Sequence, residues 1–196
     1  MDVTSQLYVE NIGQWRSWLE IHHQIETEVW LVLDKKGTGN YQLNYIETVE
    51  EALCFGWIDG IKKKDGDRLL QRFTPRRTNS HWTELNKERV RRLTALGKMQ
   101  EQGMKVLPDL ETPFGIDEAI LEKLKKDAAT YQFFKTLPDL YVRVRISYIQ
   151  EYNPGSPEYE KRLANFLKYT VQGKMLGRWD DGGKLTGTYR GDDDDI

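Results

Sequence analysis

Asp65-Gly66 separates two runs that read as β-strands, Trp57 to Lys63 and Arg68 to Thr74. An Asp-Gly pair between strand-forming runs is the strongest short-range hairpin signal in a sequence, because glycine accepts the positive φ of a tight turn. The chain is thereby committed to an antiparallel ladder on which other elements must pack. With Asp65 and Gly66 as the two central turn residues, Asp59 falls opposite Arg72. The same register pairs Trp57 with Thr74 and Ile61 with Leu70 on one face, and Ile58 with Phe73 on the other.

The flanking sequence supplies partners for this hairpin. Ser5 to Val9 reads as a short strand, and Ile12 to Ile21 as a helix capped by Asn11, with Trp15, Trp18 and Leu19 at helical spacing. Val29 to Leu33 is a continuous apolar run suited to a strand covered on both faces, and the loop Lys35 to Asn40 ends it. Asn44 with Glu47 opens a helix whose stripe is Ile46, Val49 and Leu53, and Gly56 stops it. Ser80 is the expected N-cap of a helix running to Leu96, with Trp82, Leu85, Leu93 and Leu96 on one face beside Asn86 and Arg89.

Beyond a proline-flanked linker, Leu107 to Phe114, four helices are expected: Ile116 to Lys126, Ala128 to Leu137, Pro138 to Tyr152 and Pro157 to Leu176. The third contains V-R-V-R-I-S, which alternates like a strand, but Leu137, Tyr141, Val144 and Tyr148 follow helical offsets over a longer window. The fold class is therefore α+β, with a small, mostly antiparallel sheet and packed helices over residues 1–106. A helical module follows over 107–176, then a flexible acidic tail over 177–196 ending D-D-D-D-I.

At 196 residues and 38% hydrophobic, the chain has enough material for one or two cores. Its single cysteine, Cys54, excludes an intrachain disulfide and a multi-cysteine metal site. The N-terminal residues have neither a basic n-region nor an apolar h-region, and no run reaches the ~18 apolar residues of a membrane span, so a cytoplasmic location without membrane insertion is expected. The net charge of −2 divides into −6 over residues 1–56, +7 over 57–105 and −3 over 106–196. The basic stretch coincides with the hairpin. It offers attraction to carboxylate, phosphate or nucleic acid, although an acidic chain is poorly matched to nucleic acid as a generic partner.

The residue types around the hairpin suit a small-ligand or anion pocket formed by Trp57, Asp59, Arg72, Arg76, Trp82, Asn86 and Arg89. Asp59 orients Arg72, Arg76 presents a planar fork to a carboxylate or phosphate, and the tryptophans form walls. The same residues also suit a closed structural network: an Asp59–Arg72 ion pair, Asn86 capping the turn after Pro75, and tryptophans filling core. No catalytic residue, metal or cofactor is assigned. His22, His23 and His81 lack surrounding ligands, Cys54 reads as a packed thiol, and neither a phosphate-binding glycine loop nor a nucleophile elbow occurs. Two further readings use other surfaces. One is nucleic-acid binding through Lys62 to Lys64, Arg76-Arg77 and Arg91-Arg92, and the other a protein partner on the aromatic C-terminal helices.

The segments Glu51-Ala52-Leu53-Cys54-Phe55-Gly56-Trp57-Ile58-Asp59-Gly60 and Arg72-Phe73-Thr74-Pro75-Arg76 are long and unusual. With Trp15, Trp18-Leu19, Glu28-Val29-Trp30, Ser80-His81-Trp82 and Asn86, they resemble the YdeI/OmpD-associated family, also described as bacteriocin-protection proteins. Similarity extends over about residues 5 to 175 and is thinner in the C-terminal part, where Tyr159-Glu160 stands in place of the family's Thr-Arg. The resemblance implies a CyaY/YjbR-like α+β domain followed by a helical OmpD-associated-type module. It also implies a link to envelope stress or antimicrobial-peptide resistance, without a reaction.

Overall fold

In the computed structural model, which describes residues 3, 5–34, 43–66 and 68–187, the hairpin forms one side of a four-stranded sheet. The strands are β1 (Gln6–Leu7), β2 (Val29–Asp34), β3 (Trp57–Asp65) and β4 (Arg68–Pro75), in the order β1-β2-β4-β3. β2, β4 and β3 pair antiparallel, as expected, whereas β1 runs parallel to β2 at the edge. A parallel pair needs a crossover, and α1 (Ile12–His22) supplies it. The fold is α+β with a mixed sheet.

The hairpin register differs from the expected one in two steps. Asp65 pairs with Arg68, so it is the last paired residue of β3 rather than the first turn residue, and Gly66 takes the positive φ of +55°. Farther along, a bulge sets Gly60 and Ile61 against Arg72 alone, so that Asp59 lies opposite Phe73 and Trp57 opposite Pro75. The Gln71 amide occupies the bulge, its Nε2 donating to Gly60 O at 2.9 Å and Arg72 O at 3.2 Å. Because side chains alternate faces, Asp59 and Arg72 are on opposite sides of the sheet.

One face is closed by α1 and α2 (Tyr45–Cys54). Asn11 and Asn44 cap them, accepting from Gln14 N and Ile46 N. Trp15 packs 5.1 Å from Phe73 and donates Nε1 to Thr48 O. Trp30, Val32 and Leu70 form a smaller cluster on the other face. Gly56 ends α2 at φ +74°, as its position suggests. A short helix not anticipated from the sequence, α4 (Glu101–Lys105), packs on α2. Gly103 makes this possible, since a Cβ there would lie 2.2 Å from Cys54 O.

The helix after the hairpin, α3 (Glu84–Ala95), begins later than expected. Ser80 is not its cap. Arg77 to Ser80 form a turn closed by Ser80 N to Arg77 O, and Thr83 Oγ1 accepts from Asn86 N instead.

The chain divides into two units, one from the described residues of Met1–His81 and Arg89–Pro108, the other from Trp82–Glu88 and those of Asp109–Thr188. The second unit contains α5 (Glu118–Lys125), α6 (Ala128–Thr136), α7 (Asp139–Gln150) and α8 (Pro157–Val171). Its core joins Ile120, Tyr141, Ile149, Leu163 and Phe166. Trp179 and Leu185 belong to that core, so the described part of the expected flexible tail, 177–187, is packed chain. The expected Lys35–Asn40 loop and the final acidic residues lie outside the described residues.

Candidate functional site

The seven residues singled out around the hairpin divide between the units. Trp57, Asp59, Arg72, Arg76 and Arg89 belong to the first, Trp82 and Asn86 to the second. Trp57 is 1% exposed, donates Nε1 to His23 O at 3.0 Å and lies edge-on to Trp18. Arg72 pairs with Glu28, its Nε 2.7 Å from Oε2, and not with Asp59. Asp59 instead accepts from the Tyr45 hydroxyl, and the Lys62 ammonium stands 3.7 Å from the centre of the Tyr45 ring. Arg76 is buried and donates Nη2 to His81 O at 2.6 Å. Burial lowers its pKa to about 10, against the pull of Asp59. Arg89 is buried on α3, and in the second unit Trp82 is buried and Asn86 half-buried.

The expected Asp59–Arg72 pair is thus replaced by two local pairs on opposite faces of the sheet. Asp59 and Arg76 are brought close enough to interact electrostatically, while Arg72 and Trp57 are engaged in holding the first unit together. An open hairpin pocket loses its two best-defined walls by this arrangement.

The second unit contains a different arrangement, built on three arginines. Arg143 and Arg145 stand two apart on α7, so their side chains diverge by about 200°. Arg143 meets Asp139, Glu84 and Glu88 at 2.7 to 3.0 Å. Burial alone would depress its pKa, but these hydrogen bonds hold it above the ordinary arginine value. Arg162 on α8 meets Glu158 and Glu151 at 3.1 Å and lies 3.4 Å from the centre of the Tyr148 ring.

Arg145 is treated differently. Its Nη2 donates to Arg178 O at 2.7 Å, its Nε is sealed from solvent without an acceptor, and among the described residues it meets no carboxylate. Desolvation by burial lowers its pKa. Gly177 gives it room. At φ +59° this residue passes over the guanidinium where a Cβ would approach Nη2 to 3.1 Å.

Arg145, Tyr148 and Arg178 form the wall shared by two clefts within the second unit. One, of about 310 Å³, adds Arg162, Asn165, Ile149, Phe166 and Leu176. The other, of about 280 Å³, adds Leu85, Val144, Thr83, Ser147 and Glu151. The first has three arginines and no carboxylate in its lining, and Arg178 is exposed. Among the described residues, no group of three His, Cys, Asp or Glu could hold a metal ion, and no helix is long and apolar enough to cross a membrane.

A family model described as a domain of unknown function, DUF8412, matches residues 7–106, just over half of the chain. The chain belongs to the DUF8412 family. No curated protein and no solved structure gives a significant match. The DUF8412 match brings no activity with it and nothing that links the chain to envelope stress or bacteriocin protection. Arg145, Arg162 and Arg178 lie beyond its span.

Arg145 had one legible trace in the sequence, the V-R-V-R-I-S alternation. On a helix, alternation sends the two arginines to opposite sides, so they cannot share one set of partners. Which arginine would find carboxylates depended on residues up to 59 positions away. Arg178 falls in the expected tail, and Tyr148 in a helical stripe and among the aromatic residues of the C-terminal helices.

Proposed function

We propose that this protein binds a small anionic ligand in the Arg145 cleft of its helical unit. The observation that carries the reading is the state of Arg145: a half-buried guanidinium with its Nε sealed from solvent and no carboxylate among the described residues, beside an exposed Arg178 and lining a cleft of about 310 Å³. A partly buried charge is ordinarily paired, and Arg143 and Arg162 in the same unit are. A ligand anion supplies the missing partner. The ligand class matches the one the sequence suggests, an anion met by an arginine fork and aromatic walls, but the residues are different.

The lining offers guanidinium and amide donors, the Tyr148 hydroxyl and apolar walls, which suit the binding of an anion.

Thermal melting of the full chain against acetate, hexanoate and inorganic phosphate tests this. At least one anion is expected to raise the melting temperature of the parent protein. Arg178→Ala, which removes an exposed side chain, should weaken that ligand by about tenfold, the scale of one charged hydrogen bond, and Arg145→Gln should abolish the effect. No shift with any anion, or a shift in both variants as large as the parent's, would contradict the proposal.

A further inference from the structure

We propose that the ligand of this cleft is an amphipathic monocarboxylate, its head on Arg145 and Arg178 and its apolar chain or ring against Leu176 and the Tyr148 ring. The inference rests on the anion-binding reading above and adds the chemical class.

Arg162 already has Glu158 and Glu151, which leaves the head to Arg145, half-buried and without a carboxylate among the described residues, and to the solvent-screened Arg178. On the far side of the shared wall, Glu151 lines the second cleft, so a dianion long enough to span both would meet a carboxylate.

Donor geometry points the same way. A guanidinium presents its N–H groups in a plane, which matches the two coplanar oxygens of a carboxylate. A phosphate can take the same fork, but the backbone N–H of Leu176, already given to the Tyr141 hydroxyl at 2.8 Å, offers it no additional donor.

The remaining wall is apolar. Ile149 and Phe166 are each 1% exposed and belong to the core, and Leu176 is half-buried beside them. Ile149 and Phe166 back the floor of the cleft, and the apolar surface a ligand meets is that of Leu176 and the Tyr148 ring, where it gains up to roughly fourfold in affinity for each methylene buried. At about 310 Å³ the cleft is at the lower end of small-molecule sites, so a head and a few carbons fill it.

Calorimetric titration of the full chain with acetate, butanoate, hexanoate and inorganic phosphate decides the matter. Affinity is expected to rise from acetate to hexanoate by about tenfold or more, with phosphate weaker than hexanoate. Leu176→Ser should reduce the hexanoate advantage and leave acetate unchanged, while Arg178→Ala should weaken both. If Arg145→Gln fails to fold, these two variants carry the test. Hexanoate no tighter than acetate, or phosphate the tightest, would overturn the monocarboxylate and leave anion binding standing. If no anion binds, or if the Arg178→Ala and Leu176→Ser variants both bind hexanoate as tightly as the parent protein does, both proposals fall.

Discussion

Arg143 and Arg145 have the same side chain two positions apart, and their surroundings give them opposite roles. Arg143 neutralises Glu84 and Glu88, whose side chains are only 6% and 12% exposed. Replacing it with Met takes the guanidinium from both carboxylates, although Lys87 Nζ still stands 2.7 Å from Glu84, and should cost about 2 kcal/mol. Arg145 meets no carboxylate among the described residues, so Arg145→Met exchanges a half-buried charge for a chain that packs. Its effect on stability should be neutral or favourable. Denaturant unfolding of the two variants checks this contrast; equal destabilisation would mean that Arg145 is an ordinary structural arginine. The sequence shows both arginines and their divergence. It does not show which has partners, because Glu84 is 59 residues from Arg143 and meets it only in the folded unit.

At the scale of elements, the hairpin was legible and its register was not. Asp65-Gly66 marks the turn, but the tip moves the pairing by two residues and the bulge at Gly60 and Ile61 takes one back, which leaves Asp59 opposite Phe73 and on the other face from Arg72. Bulges leave little trace in a sequence: Gly60 permits one, and Gln71, fully buried with its amide on the bulge carbonyls, stabilises it. The α3 start moved from Ser80 to Thr83 for a similar reason, since the Arg77–Ser80 turn and the Arg76 bond to His81 O occupy the intervening chain.

The contact of α4 with the end of α2 gives a test at this scale. Burial, reinforced by Glu51, pushes the Cys54 thiol from 9.0 up to about 12. The folded protein therefore keeps that proton longer than the unfolded chain, and stability falls as pH rises through this window. At pH 8 Cys54 should be inert to a disulfide reagent until the protein unfolds. In Gly103→Ala a Cβ meets Cys54 O, so α4 must shift, at a cost of about 2 kcal/mol. Labelling should then be faster than in the parent, and an unchanged rate would show that α4 does not seal the thiol.

For the whole molecule, composition and periodicity reached the class and most of the elements, because helical stripes and strand runs are local. The parallel β1, the short α4 and the packing of Trp179 and Leu185 escaped, since each depends on contacts made across the chain. The residues that most resembled a site lie within the DUF8412 match, five of the seven in the first unit, where Trp57 and Arg72 serve the fold. The cleft with an unneutralised arginine belongs to the second unit. Side-chain ¹⁵N spectra of the arginine Nε–H groups, recorded while hexanoate is added, test that assignment most directly. One resonance, absent from Arg145→Lys and so belonging to Arg145, should move in a saturable way. If the Arg145 resonance stays fixed while others shift, the anion binds elsewhere, and the functional account of this cleft is wrong.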